Sequence, residues 1–427
     1  MDRLPLYLKI KNELDIVKLK KLEFCKLGTL MAFPLVAITF NKFPSIWRQL
    51  LSLAKLCIIE SNQFRVVGNT DNSILVITTH TYLNRKDHIN TMKAVAAAAN
   101  PCTKLEPYLS SKLHLRLGCF FRIISWSKSL SNIQIGLQER FYILYNALIA
   151  YVYLENIKSI VDFSKYRSVV VRMDGQLLDN VIVQYAKSLG CKTVTIQDGY
   201  EVRCCKSADV HWQIQAKMRG SCSDYFITWS KYFADVVKTS VSDDCNIVVL
   251  GMPKFIYKEE QQKKIDKTRS FGVMLDYHSK TDSNAELVQI ANEISKTFSI
   301  PYVLRYHPLD QIFVCDDLID GFGRIEIEKG KNQRELSDFI RNNAFIIACN
   351  SSTIIESGFV NPYTYRMIPK RGVDILKECN YPLTFSTVNE LTLLVKNSIE
   401  LGKEYREYVC GPRNVTESYV NFFNSIR

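Results

Sequence analysis

Residues 168–199 constrain the fold more than any other stretch of the chain. Ser168–Arg172 (SVVVR) is a short β-rich apolar run that ends at Asp174-Gly175. Residues 176–189 carry helical apolar spacing and stop at Gly190, and Lys192–Ile196 (KTVTI) forms a second run closed by Gln197-Asp198-Gly199-Tyr200. Strand, one helix and strand in so few residues require adjacent parallel strands joined by a right-handed crossover. Both strands then end on the same edge of one sheet. That edge receives Asp174 and Asp198, and it is where open α/β sheets hold ligands.

The same alternation recurs on either side. Ser73–Thr79 (SILVITT) reads as a buried strand, His80–Arg85 as its polar strand-end loop, and 87–99 as a helix stopped by Asn100-Pro101. Residues 102–160 read as helical, and 225–228 and 246–250 as further strands. The charged run 258–269 (KEEQQKKIDKTR) has the composition of a linker. Beyond it, strands at 270–275, 301–305, 345–349 and 363–368 alternate with helices at 284–298, at 333–341 and from 352. The expected organisation is a helical N-terminal extension (1–70), a first Rossmann-like α/β domain (71–257) and a second (270–427).

Composition fits this reading. Hydrophobic residues make up 47% of 427 and charged residues 23%, the balance of a chain with sizeable folded cores. A net charge of +12 favours anionic partners. The basic residues are dispersed and match no nucleic-acid-binding motif, so nucleic acid is not an expected partner. The 13 cysteines show no CxxC pair and no zinc spacing, and the histidines have no metal-ligand spacing; they are read as small buried side chains in a reducing cytosol, with no metal site. Residues 28–40 (GTLMAFPLVAITF) are uncharged but too short to span a bilayer. They are read either as a buried helix or, with their lysine-rich flanks, as a membrane-surface helix. The expected location is cytoplasmic, with peripheral docking on the inner face of the membrane.

Two clusters in the second half carry the chemistry. Arg305-Tyr306-His307-Pro308 ends one apolar run, and Asn350-Ser351-Ser352-Thr353 ends another, with Ser351 placed 44 residues after His307. Both fall at strand ends of one sheet. A guanidinium, an imidazole and hydroxyls at a helix start are the donors a phosphate group needs. No G-x-G-x-x-G or P-loop is present, which disfavours dinucleotide dehydrogenases and NTPases.

These motifs, in this order, resemble those of GT-B-type bacterial sialyltransferases, including polysialic acid polymerases: an acid-acid-Gly triplet, then His-Pro, then Ser-Ser/Thr. The chain matches with Gln197-Asp198-Gly199, His307-Pro308 and Ser351-Ser352 over roughly residues 165–370. The resemblance implies two Rossmann-like domains facing across a cleft, no required cofactor, a CMP-activated sugar acid as donor and a glycan or glycolipid acceptor. It implies Asp198 as general base, His307 beside the CMP phosphate, and Ser351, Ser352 and Thr353 around that phosphate. Arg305 and Pro308 belong to the nucleotide side, and Glu335 is matched to a ribose-binding glutamate, with Glu326 and Glu328 as competitors. His80, Asp174, Gln197 and Gly199 are acceptor-side candidates. Gln197 departs from the triplet's first acid. The Gln197–Tyr200 stretch with Arg203 is also similar to capsule β-Kdo transferases, which use CMP-Kdo.

Such a donor carries a phosphate leaving group on a tertiary anomeric carbon. The enzyme must deprotonate one acceptor hydroxyl and neutralise charge on departing CMP, tasks a buried carboxylate and a phosphate clamp perform. Two other readings remain open: a teichoic-acid-type transferase of polyol phosphate from a CDP donor, and a non-catalytic GT-B scaffold.

Overall fold

In a computed structural model of the chain, the described residues are 4–68, 73–79, 86–113, 118–197, 199, 218–256, 270–276, 282–308, 326–330, 333–370, 374 and 376–427. They form two compact units. The first comprises Met1–Trp229, Phe233–Lys258 and Asn414–Arg427; the second comprises Ser230–Tyr232 and Glu259–Arg413.

Strands β1 (Ile59–Val67), β2 (Ile74–Ile77), β3 (Thr103–Leu113), β4 (Ser168–Val170), β5 (Lys192–Ile196), β6 (Tyr225–Thr228) and β7 (Asn246–Val249) build the first sheet in the order β1-β3-β2-β4-β5-β6-β7. All pairs are parallel except β1 with β3. The β4–helix–β5 crossover is as expected, with Val170 opposite Val194 and the helix Leu177–Ser188 between. β3 lies where a helix was expected. Its start alternates buried Thr103 and Leu105 with half-buried Lys104 and Glu106, a period of two that fits a sheet.

The first 70 residues are not an appended extension. Tyr7, Ile10, Leu14, Leu22, Leu30 and Leu35 are buried in one core with Leu75, Val169, Val181 and Ile182. Each such side chain contributes roughly 1.5–3 kcal/mol of burial. Gly28 shows how closely these helices pack: a Cβ there would lie 1.9 Å from the Lys11 carbonyl oxygen. The 28–40 run packs mostly into the core, with Leu30, Met31, Leu35 and Ile38 buried and Phe33 47% exposed.

The C-terminal helix Val415–Ser425 returns to the first unit, so the second domain stops short of residue 427. Tyr419 donates to the Gly251 carbonyl (3.2 Å), Phe422 meets the Tyr225 ring edge-on at 5.5 Å, and Ser168 Oγ donates to the Ile426 carbonyl (2.7 Å).

The second unit holds β8 (Phe271–Met274), β9 (Tyr302–Arg305), β10 (Glu326–Glu328), β11 (Ile346–Ala348), β12 (Thr364–Met367) and β13 (Thr384–Phe385). Their order is β10-β9-β8-β11-β12-β13, all parallel. Burial on both faces explains the continuous apolar runs of β8, β9 and β11. The linker 258–269 lies outside the described residues.

Candidate functional site at the strand ends

In the second unit β8 stands between β9 and β11, with Val273 opposite both Leu304 and Ile347. Because all three are parallel, the two sequence clusters emerge on one sheet edge, about 10 Å apart at strand spacing.

The β9 end is braced from below. Arg305 Nη1 donates to Glu328 Oε2 at 2.5 Å and Nη2 to the Arg334 carbonyl at 3.0 Å, and its guanidinium stands 5.2 Å from the Phe339 ring centre. Glu328 also accepts from Arg334 Nε. Arg305 is only 9% exposed, so this side chain braces the strand end. Tyr306 is buried; its amide donates to the Glu328 carbonyl (3.0 Å), and its carbonyl accepts from Gln333 Nε2 (2.7 Å). His307 and Pro308 follow this clamp directly, half-buried and exposed respectively.

The β11 end is braced by a residue the sequence reading did not single out. Asp276, two residues past β8, accepts the Asn350 amide on both carboxylate oxygens (3.0 and 3.1 Å). Its own amide and carbonyl are held by the Asn284 side chain (2.9 and 3.0 Å). Burial pushes its carboxyl up to about 6, against the Asn350 amide and the charge of Arg366. Arg366 in turn donates Nε to the Cys349 carbonyl (3.3 Å) and pairs with Asp374. Ser351 Oγ accepts from the Thr353 amide (3.3 Å) and from Thr353 Oγ1 (2.7 Å), so Ser351 caps the helix Thr353–Val360 and still has its own O–H to donate. Ser352 makes no side-chain cap bond.

The three glutamates proposed for ribose separate by environment. Glu328 is buried under two guanidinium groups, Glu326 is exposed and paired with Arg334 (3.1 Å), and Glu335 is exposed at the start of the helix Leu336–Asn342. Glu356 is buried on the helix after Ser352, within electrostatic reach of Arg305.

In the first unit, Asp174 follows β4 and is fully buried. Its Oδ1 accepts from Ser221 Oγ (2.6 Å), and its Oδ2 accepts from the Cys222 amide (2.8 Å), the Ser223 amide (2.8 Å) and Ser223 Oγ (2.7 Å). Those bonds make Asp174 an anchor for the 221–223 segment. Gln197 is also buried and ties strand ends together: its amide nitrogen donates to the Gly199 carbonyl (2.8 Å), and its side-chain oxygen accepts the Trp229 amide (2.9 Å). Gly199 sits at φ +88°, a conformation that disfavours any side chain. Asp198 and His80 lie outside the described residues, as do Tyr200 and Arg203. Among the described residues no group of three His, Cys, Asp or Glu is placed to hold a metal.

No family model matches the chain, and no curated protein matches it. Solved structures do. A putative UDP-N-acetylglucosamine 2-epimerase from Listeria monocytogenes is similar at TM-score 0.51 and 10% identity, over 83% of this chain and 95% of that one. The UDP-GlcNAc 2-epimerase from Neisseria meningitidis bound to UDP-GlcNAc is similar at TM-score 0.47 and 9% identity, over 83% of this chain and 98% of that one. The S. aureus MnaA-UDP co-structure is similar at TM-score 0.47 and 11% identity, over 83% and 96%. At such identities the likeness establishes architecture alone. The two parallel-sheet α/β units of this chain have a GT-B-type fold.

Proposed function

We propose that the chain is a glycosyltransferase that moves a 2-keto sugar acid (sialic acid, Kdo, legionaminic or pseudaminic acid) from a CMP donor to a hydroxyl of a bacterial surface glycan. The observation that carries this reading is the shared sheet edge of β9 and β11, where His307 and Ser351-Ser352 are each backed by a buried brace. Rigid backing holds phosphate donors in place before the ligand arrives, which is how such groups stabilise a leaving group.

In this reaction Asp198 takes the acceptor hydroxyl proton. The acceptor oxygen bonds to the anomeric carbon as the bond from that carbon to the phosphate oxygen breaks, and CMP departs with the electron pair. His307 donates a hydrogen bond to the phosphate, and Ser351 and Ser352 add hydroxyl donors. Gln197 does not weigh against an active site. Its amide is occupied in joining strand ends, so the missing first acid of the triplet reflects a folding role.

A thermal-shift titration with CMP, CDP, UDP and GDP tests the reading, with His307→Ala in parallel. Stabilisation by CMP that the variant loses is the expected result. Preference for UDP or GDP overturns the CMP donor, preference for CDP favours polyol-phosphate transfer, and no response to any nucleotide favours a scaffold. Asp198→Asn should abolish turnover while CMP binding survives.

A further inference from the structure

The helix Ile46–Ile58 (IWRQLLSLAKLCI) has two faces with opposite surroundings. Gln49 and Leu53 are buried on one, and Leu56 packs against the same core. On the other, Trp47 is 74% and Leu51 72% exposed, and Ala54 is exposed beside them. At about 100° per residue, Trp47, Leu51 and Ala54 fall within roughly 60° of one another, opposite the buried set. Arg48 and Lys55 line one margin of this stripe, and both are exposed. Soluble surfaces rarely gather a Trp and a Leu in one exposed stripe without a partner for it.

Charge identifies the partner. From Phe24 to Ile59 the chain contains no Asp or Glu, whereas Lys26, Lys42, Arg48 and Lys55 are all exposed. An apolar stripe with a Trp and a cationic margin is the pattern that settles at the boundary between lipid headgroups and acyl chains. Each basic residue adds attraction to an anionic leaflet. Among the described residues no helix is long and apolar enough to cross a membrane, which suits a helix lying in the plane.

We propose that the Trp47–Leu51–Ala54 face lays the first unit on an anionic lipid surface, with Arg48 and Lys55 against the headgroups. The inference does not depend on the donor nucleotide. It also moves the membrane contact from the 28–40 run, most of whose apolar side chains are buried, to the helix that follows it.

Co-sedimentation of the full chain with phosphatidylglycerol–phosphatidylcholine vesicles tests this, with pure phosphatidylcholine vesicles as reference. The intact protein should partition onto the anionic vesicles and be released by salt. Trp47→Ser with Leu51→Ser, and separately Arg48→Glu with Lys55→Glu, should each lower the partition coefficient about tenfold or more. All four positions are exposed, so unchanged thermal melting confirms that both variants fold. Equal partition of intact and variant proteins overturns the proposal, as does equal binding to both vesicle types. Sedimentation velocity supplies a third arm: self-association that Trp47→Ser with Leu51→Ser abolishes would assign the face to a second copy of the chain and overturn the lipid reading.

Discussion

The Gln197 side chain joins two neighbouring strand ends, accepting the Trp229 amide at 2.9 Å while donating to the Gly199 carbonyl at 2.8 Å. A carboxylate accepts but does not donate, so Gln197→Glu keeps the first bond, loses the second and buries a charge. The expected cost at neutral pH is about 3 kcal/mol of unfolding free energy. Burial would raise the new carboxyl's pKa above its unfolded value. The folded protein would then take up a proton first, and the deficit should shrink as pH falls towards about 5. Urea unfolding at the two pH values measures this; a pH-independent deficit would place the effect elsewhere.

Asp174 makes a second structural prediction. Its carboxylate accepts four hydrogen bonds from residues 221–223, and a buried acceptor set of this kind is costly to remove. Asp174→Ala should destabilise the protein by about 4 kcal/mol, and Asp174→Asn by less because one acceptor oxygen remains. An acceptor-binding role would instead raise the KM for acceptor with stability intact, and the paired measurement of urea midpoint and KM separates the two.

How far these features were visible in the sequence follows from their physics. β8, β9 and β11 were legible because strands buried on both faces are continuous apolar runs, and parallel pairing fixed His307 and Ser351 on one edge. β3 was missed because its apolar positions alternate and are interrupted by Glu106-Pro107, which resembles no core run. Asp276 was missed because its burial depends on the Asn350 amide, 74 residues on, and nothing near Asp276 in sequence announces it. The anchor role of Asp174 was hidden for the same reason, since its partners lie 47–49 residues away. The outward face of Ile46–Ile58 was likewise not read from the sequence: spacing sets Trp47 and Leu51 opposite Gln49 and Leu53 but does not say which pair meets the core.

The two glutamates that brace Arg334 should differ sharply. Glu328 is buried beneath Arg305 and Arg334, whereas Glu326 meets Arg334 at the surface. Glu328→Ala leaves the Arg305 charge buried without its counter-ion and should cost about 3 kcal/mol, while Glu326→Ala should change stability by about 0.5 kcal/mol or less. Glu335→Ala should weaken CMP binding if Glu335 contacts the ribose. Chemical unfolding and nucleotide titration of the three variants, side by side, check all of this at once.

Asp276 links the proposed phosphate site to pH. Its carboxyl lies at about 6 in the folded protein against an ordinary value of 3.8, raised by burial. Between those values the folded protein holds a proton that the unfolded chain has released. This group's contribution to stability is therefore full below about pH 4, falls as pH rises to about 6 and is level above, a loss on the order of 3 kcal/mol. Asp276→Asn still accepts the Asn350 amide but carries no titrating charge. It should match the parent near pH 4, exceed it in stability above pH 7 and remove that portion of the pH slope; a slope that survives the substitution would refute the assignment. An anionic phosphate bound beside Ser351 would oppose ionisation of Asp276 further. CMP binding should then draw in a proton and weaken between about pH 6 and 8. Titration calorimetry in two buffers of different ionisation enthalpy measures that proton directly. The difference between parent and Asp276→Asn isolates the part that belongs to Asp276.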